Sequence, residues 1–437
     1  MLLSAVGIAT ALAGPSPAAQ AQPSSLPPAA AQPLPAPSVA PVVPERAPAE
    51  PAVARRAVPP RTDPVRDDQW QLGELNAASA WRVSTGKGVT VAVIDSGVDG
   101  SHPDLAGQVL PGLDLVQPSD ANGQSDPVGH GTTVAALIAG RDDDSQGVVG
   151  LAPDAKILPV RVLDAENRYD DAMIVAKGVR WAVDNGARVI NLSLGGTGDS
   201  PALAAALDYA FARDVVVVAC TGNLSPSSPN TRVWYPAREP GVIAVAGLER
   251  DTDSLWSGSI TGPETVLSAP ATNLHGARPG GFWRVQGTSF AAPLVAATAA
   301  LVRSHWPTMS AGDVVNRLIR TARDLGPAGR DDRFGFGLVN PVAALNGEVA
   351  RVDHNPLDDL HSPAVVGFGP APGADTAVES TEGEPSGLGI PGAHRRSNWA
   401  AQPAGGPNIQ PPEGAWVGGT LFVLLLLGSA VLLRRFR

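Results

Sequence analysis

Five runs of apolar, largely β-branched residues punctuate the middle of the chain. They are GVTVAVID (88–95), AKILPVRVL (155–163), ARVINLSLG (187–195), DVVVVACTGN (214–223) and GVIAVAGL (241–248). None alternates strictly between apolar and polar, which is the pattern of strands covered on both faces. Between them the apolar period changes to that of a helix: GTTVAALIAG after His130, residues 171–186, and residues 200–214 with Ser200 at the cap and Pro201 at the first helical position. A further helix is expected in FAAPLVAATAALVRSHW, directly after Ser289. Strand–helix alternation predicts an α/β fold with a mostly parallel sheet between two helical layers. Ligands in such folds bind at the carboxyl ends of the strands. Asp95, the segment Ser193-Leu194-Gly195-Gly196 and Asn223, each closing a run, are therefore expected along one edge.

The two ends differ in kind from this body. Residues 415–433 (AWVGGTLFVLLLLGSAVLL) carry no charge, and Arg434, Arg435 and Arg437 follow at once. As a helix the run would span roughly 28 Å at about 1.5 Å per residue, close to the roughly 30 Å of a bilayer's hydrocarbon core. Trp416 stands at an interfacial position, and the positive-inside rule assigns residues 434–437 to the cytoplasm and the rest to the outside. Residues 2–13 are apolar and Ala19-Gln20-Ala21 offers a cleavage site, so 1–21 reads as an export signal, though without a positively charged start. Residues 22–66, rich in Ala and Pro, are expected as extended chain, and 347–414 as a flexible Gly/Pro-rich linker. The expected organisation is one folded domain over 67–346, outside the cytoplasm, held to the cell membrane by a single C-terminal helix.

Composition narrows the partners. Lys+Arg 32 against Asp+Glu 42 leaves a net charge of −10, so there is no basic footprint for nucleic acid. Cys220 is the single cysteine, which excludes an intramolecular disulfide and a Cys-cluster metal site. Its thiol, on the run leading to Asn223, reads as a small buried hydrophobe or as a neighbour of a substrate pocket. RDDDSQG (141–147) groups three carboxylates without the alternating Asp/Asn spacing of a calcium loop. No cofactor and no metal is assigned, with calcium left open.

Acyl transfer needs a hydroxyl, a base, a carboxylate to orient the base, and donors for the oxyanion. Ser289, in VQGTSFAAP, lies at a helix start where backbone N–H groups favour developing negative charge. Alone it would be a helix cap. His130, between two glycines at the mouth of a helix, suits a base whose ring must not wander. Its rival is His102 in DGSHPDL, on a loop before a proline. Asp95 alone would be a strand-end turn residue, and Asn223 an ordinary turn residue or an oxyanion donor. A lipase or esterase elbow, Gly-x-Ser-x-Gly, is absent around Ser289, which Thr288 and Phe290 flank.

VIDSGV, HGTTVAAL, NLSLGG, the Gly-Asn of VVVVACTGN and GTSFAAPLVAA together resemble the successive signatures of the subtilisin family of serine proteases. SHPDL, GVVGLAPDAKI and GFGLVNPVAAL match further segments, so the resemblance covers residues 69–345. The chain order Asp, His, Ser is that family's. It implies a subtilisin-like three-layer fold with Asp95 as orienting carboxylate, His130 as base, Ser289 as nucleophile and Asn223 as oxyanion donor. Ser193, Leu194, Gly195 and Gly196 would pair with an extended peptide substrate, with Thr221 and Gly222 also at the substrate. A calcium loop is often kept where RDDDSQG stands. The family usually carries a folded prodomain; residues 22–68 are too few and too Pro-rich to form one, and are expected to wrap the domain without plugging its cleft.

A narrower resemblance rests on the export signal, the entry QWQLGELNAASAWRVSTGKGVTVAVIDSGV, the Pro-rich spacer and the anchor with its Arg tail. It is to the mycosins, membrane-anchored subtilases of type VII secretion systems in actinobacteria. It implies a protease domain facing the cell wall, attached to other membrane components of the secretion machine. The disulfide cysteines typical of mycosins are missing. Two further functions stand beside it: a scaffold subunit whose proteolysis is dispensable, and a membrane-anchored subtilase unrelated to secretion.

Overall fold

The computed structural model describes residues 63–117, 122–143, 146–226 and 230–358. The export signal, the transmembrane run, the Arg tail and most of the two Pro-rich segments lie outside the described residues. No helix among the described residues is long and apolar enough to cross a membrane.

Three short helices lead in: α1 (Pro64–Asp67), α2 (Trp70–Glu74) and α3 (Ala77–Trp81). All five apolar runs then form strands: β1 (Thr90–Asp95), β3 (Lys156–Arg161), β4 (Val189–Leu192), β5 (Val216–Cys220) and β6 (Ile243–Leu248). Two further strands join them, β2 (Leu113–Asp114) and β7 (Leu267–Pro270). The sheet order is β2-β3-β1-β4-β5-β6-β7, with every neighbouring pair parallel. From β1 the chain moves first to β2 and β3 on one side, then crosses to β4 on the other. That reversal opens a crevice at the carboxyl end of β1.

Helices α4 (His130–Ala139) and α7 (Thr288–His305) pack together on one side, while α5 (Ala172–Asp184) and α6 (Pro201–Ala212) pair with each other. The Asp171 carboxylate accepts from the Met173 N–H to cap α5, and the Ser200 hydroxyl accepts from the Leu203 N–H to cap α6. Helix α7 touches β1 and β4 through β7, and its residues Thr288 to Arg303 are buried. Its alanines let it lie close over the sheet, so the core is continuous from strand to helix. An antiparallel hairpin, β8 (Leu274–Arg278) and β9 (Gly281–Val285), feeds into α7 and packs on α4. Helices α8 (Ala311–Arg320) and α9 (Pro341–Asn346) close the body.

Both domain boundaries differ from expectation. The folded body starts by Asp63, whose carboxylate accepts from the N–H groups of Val65 (2.8 Å) and Arg66 (3.0 Å). Arg66 then donates to the carbonyls of Gln146 (2.7 Å) and Gly147 (3.3 Å) and to Asp142 (2.6 Å). Residues 63–66 are thus a docked helical turn and not extended chain. At the other end, residues 347–358 are not free linker. Val352 N–H donates to Asp313 (2.9 Å), Asn355 donates to the Gly241 carbonyl (2.8 Å), and Gly241 N–H donates to Leu357 (2.8 Å). Short polar segments dock here through backbone hydrogen bonds, which leave no apolar period to read.

Candidate active site

Asp95 is the last residue of β1, and His130 opens α4 beside it. His130 Nδ1 lies 2.7 Å from Asp95 Oδ1, and both side chains are fully buried. A carboxylate only accepts, so the ring proton sits on Nδ1 and Nε2 presents its lone pair. The two elements meet because Gly131 has no side chain: a Cβ there would collide with the Gly97 carbonyl. His102, the rival base, has other work. Its Nδ1 accepts from the Asp104 N–H (3.2 Å), and its ring meets Phe282 edge-on.

A buried network holds the His130 end of α4. Asp126 accepts from the Ser96 hydroxyl (2.8 Å), the N–H groups of Val128 and Gly129, and both the N–H (2.8 Å) and hydroxyl (2.6 Å) of Thr132. Burial pushes the Asp126 carboxyl up, and those donors oppose it. Ser96 also accepts from the Gly131 N–H (3.0 Å), so the first turn of α4 is satisfied from two sides. The sequence reading missed this support, because Asp126 lies in a loop with no periodic signal.

Ser289 is the second residue of α7. Thr288 N–H and hydroxyl both donate to Asn223 Oδ1, at 3.0 and 2.9 Å, and Phe290 N–H donates to the Gly287 carbonyl. The Ser289 N–H is left without an acceptor among the described residues. The bonds from Thr288 also fix the Asn223 amide, so its nitrogen is the end left to donate. A Cβ built on Gly287, the residue before this turn, would stand 3.5 Å from that nitrogen. Two donors, one from backbone and one from a side chain, thus converge at the start of α7.

Pro293 explains a further contact. It lies four residues after Ser289 inside α7 and has no N–H, so it leaves the Ser289 carbonyl without its helical partner. The Ser193 hydroxyl donates to that carbonyl at 2.6 Å and itself accepts from Asn191 Nδ2 at 2.9 Å. The side chain of Ser193 is therefore a brace for the helix start.

The rest of the expected substrate edge is partly occupied. Gly196 exchanges both backbone hydrogen bonds with Tyr235, at 2.9 and 2.8 Å, and the Leu194 carbonyl lies 3.8 Å from Cys220 Sγ. Thr221 is fully buried, its N–H and hydroxyl both on the Val245 carbonyl. Gly222 N–H donates to the Thr288 hydroxyl (3.2 Å). Gly195 is buried, and a Cβ on it would meet the Tyr235 carbonyl at 2.6 Å and the Trp234 side chain.

The Ser289 hydroxyl contacts Cys220 Sγ at 3.9 Å, and no hydrogen bond joins it to His130 among the described residues. Burial pushes the Cys220 thiol up to about 11, so at neutral pH it is a protonated neighbour and not a nucleophile. His130 Nε2 is buried with no hydrogen-bond partner, as is Asp95 Oδ2. An unpaired buried polar atom costs about 1–3 kcal/mol. Such a cost is tolerated where the atom has a chemical task. Phe290, next to Ser289, packs its ring 5.3 Å from the His130 ring, which brings the free nitrogen to the head of α7. Hydrogen bonds between a nucleophile and its base are commonly loose before substrate arrives.

Among the described residues no group of three or more His, Cys, Asp or Glu side chains is arranged to hold a metal ion. In the acidic loop, Asp142 pairs with Arg66 and Asp143 with Arg141.

Residues 86–337 match the family described as the subtilase family. Subtilisin E of Bacillus subtilis is 41% identical over 261 residues, which is 60% of this chain and 66% of that relative's length. The crystal structure of MycP1 from Mycobacterium smegmatis superposes with a TM-score of 0.57 at 30% identity, covering 70% of this chain and 90% of that one. The structure of a serine protease MycP1, described as an essential component of the type VII (ESX-1) secretion system, gives 0.55 at 32% identity, over 66% of this chain and 90% of that one.

Proposed function

The chain belongs to the subtilase family, and from that premise we propose that it is a serine endopeptidase working through an acyl-enzyme. His130 Nε2 takes the Ser289 proton as Oγ attacks the peptide carbonyl. Asp95 holds the imidazole in the productive tautomer and stabilises the imidazolium that forms. The oxyanion is received by the Ser289 N–H and Asn223 Nδ2, while His130 returns the proton to the leaving amine. Water then repeats the sequence to release the acyl group. The observation that carries this reading is the fully buried Asp95–His130 pair, at 2.7 Å, with Nε2 left unpartnered.

A fluorophosphonate probe tests it on the full-length protein. Wild type is expected to be labelled at Ser289 and Ser289→Ala to remain unlabelled. A folded wild-type protein that takes up no label overturns the reading.

The finer assignment is a membrane-anchored protease of a type VII secretion system. Its supports are the likeness to MycP1 and the uncharged run 415–433 followed by arginines. The peptidase domain then faces outward, the Arg tail lies in the cytoplasm, and partners are peptide substrates and other membrane components of the machine. A strain carrying Ser289→Ala separates catalysis from scaffolding. Lost secretion supports a proteolytic role in it, and retained secretion with lost cleavage supports the scaffold role.

A further inference from the structure

We propose that Asp126 is a positioning residue for the proton transfer, holding Asp95 and His130 in register through Ser96. The proposal rests on the peptidase reading and deepens it by naming what keeps the carboxylate and its histidine aligned.

Asp95 and His130 come from different elements, the end of β1 and the start of α4. Ser96 ties the two together. Its N–H donates to Asp95 Oδ1 at 2.7 Å, the same oxygen that faces His130 Nδ1 at 2.7 Å. Its Oγ accepts from the Gly131 N–H at 3.0 Å. A closed ring of contacts therefore runs from Asp95 through Ser96 and Gly131 to His130 and back.

Asp126 fixes that ring from outside. Its Oδ1 accepts from the Ser96 hydroxyl (2.8 Å) and from the N–H groups of Val128 (3.1 Å) and Gly129 (2.7 Å). Its Oδ2 accepts from the N–H (2.8 Å) and hydroxyl (2.6 Å) of Thr132. His130 is thus suspended between two residues whose N–H groups are held, Gly129 directly and Gly131 through Ser96. The Thr132 hydroxyl in turn accepts from the Asp99 N–H at 2.9 Å, so the turn after β1 is pinned at both ends. Gly97 allows the close approach: its φ is +101°, and a Cβ there would collide with the Ser125 carbonyl.

Each of these contacts brings a donor to Asp126, a set that only the ionised carboxylate satisfies in full. Arg278 of β8 supplies countercharge beside it. A Cβ on Gly129 would stand 3.0 Å from Arg278 Cγ, and burial pushes the Arg278 guanidinium down while the Asp126 charge opposes that. Misplacing reacting groups by about 1 Å can cost about 10²-fold in rate, which is the slippage this ring prevents.

The test uses full-length protein, steady-state kinetics on one peptide p-nitroanilide, a small fluorophosphonate to count active sites, and urea unfolding. Ser96→Ala keeps the N–H on Asp95 but disconnects the ring from Asp126. It is expected to lower kcat about 10-fold with KM within about twofold. Asp126→Asn sets an amide N–H against donors in either orientation and should lower kcat about 100-fold. Should that variant unfold, Ser96→Ala decides alone. Ser84→Ala is the control: it removes another buried hydroxyl, bonded to the Leu301 carbonyl at 2.8 Å, and should lose comparable stability with kcat within about twofold. In Asp95→Asn the imidazole is already held wrongly, so adding Ser96→Ala should cost no more than about twofold further. Unchanged kcat in folded, labelled Ser96→Ala overturns the proposal, as does the full loss of about 10-fold on top of Asp95→Asn. Wild type that neither takes up label nor turns over peptide overturns the peptidase reading, and the proposal with it.

Discussion

Among the described residues two carboxylates face a histidine, and their surroundings differ in almost every respect. Asp95 meets His130 at 2.7 Å with both side chains fully buried and no cation in contact. Asp68, between α1 and α2, meets His275 of β8 at 3.1 Å, with the pair 26% and 12% exposed. Arg250 (2.9 Å) and Arg284 also grip Asp68. In the first pair the carboxylate is met by His130 and by the Ser96 N–H (2.7 Å), with no guanidinium against it among the described residues. In the second, two guanidinium groups already answer it, and His275 Nε2 is itself spent on the contact. One arrangement is poised to move a proton, and the other is a clamp tying the lead-in helices to the hairpin before α7. The same residue types become site or fastening according to how much countercharge and water surround them.

The sharpest way to break this comparison is to remove the charge from each carboxylate in turn. Asp95→Asn preserves shape but lets the amide hold His130 in the wrong tautomer. It is expected to lower kcat by about 10⁴-fold, roughly 5.5 kcal/mol of barrier. Asp68→Asn should leave kcat within about twofold, since the clamp touches no reacting atom. Steady-state kinetics on one peptide, with sites counted by a fluorophosphonate, decides between them. Comparable losses in the two variants would dissolve the distinction.

A smaller effect is expected where Thr288 holds Asn223. Asn223→Ala removes the side-chain oxyanion donor and should cost about 10²–10³ in kcat with KM little changed. Thr288→Val keeps the N–H bond to Asn223 Oδ1 but loses the hydroxyl bond, so the amide stays present and less firmly aimed. Its loss in kcat should be smaller than that of Asn223→Ala. In the double variant the loss should be no greater than in Asn223→Ala alone, because Thr288 acts through Asn223. Additive losses would assign Thr288 a separate role.

How much of this was legible depended on whether the signal was local. The five long strands announce themselves as apolar runs, and β1 through β6 follow them closely, apart from the two-residue β2. β7 escapes because Leu267–Pro270 carries Ser and Pro, which break the apolar run, and its burial comes from its neighbours. Hairpin β8–β9 escapes because its glycines and its Arg and His side chains blur the alternation. Asp95, His130, Asn223 and Ser289 are legible because each lies at an element's end or within three residues of one, where a short motif shows. The brace between Ser193 and Ser289 spans 96 positions and depends on a missing N–H at Pro293, so no local pattern contains it. The packing of Trp234 is hidden for a similar reason: it depends on the absence of side chains at Gly195 and Gly222, which only the folded chain brings opposite its indole.

The smallest expected effect is the clamp's contribution to stability, and its pH dependence has a definite sign. The Arg250 side chain beside Asp68, helped by His275 and Arg284, holds that carboxyl well below the usual carboxylate range, against a desolvation that raises it. A folded value below the unfolded one of 3.8 means the ionised form stabilises the fold above about that pH. The contribution is lost as pH falls toward the folded value. Asp68→Asn should therefore be less stable than wild type at pH 6, and the two should converge as pH drops below 3.8. Partly exposed pairs contribute roughly 0.2–1 kcal/mol each, so the deficit is modest and shrinks in high salt. Urea unfolding at pH 6 and pH 3, with and without added salt, measures it. A deficit of the same size at both pH values would mean that Asp68 fastens the hairpin through shape and neutral hydrogen bonds, and the contrast with Asp95 would then be one of burial alone.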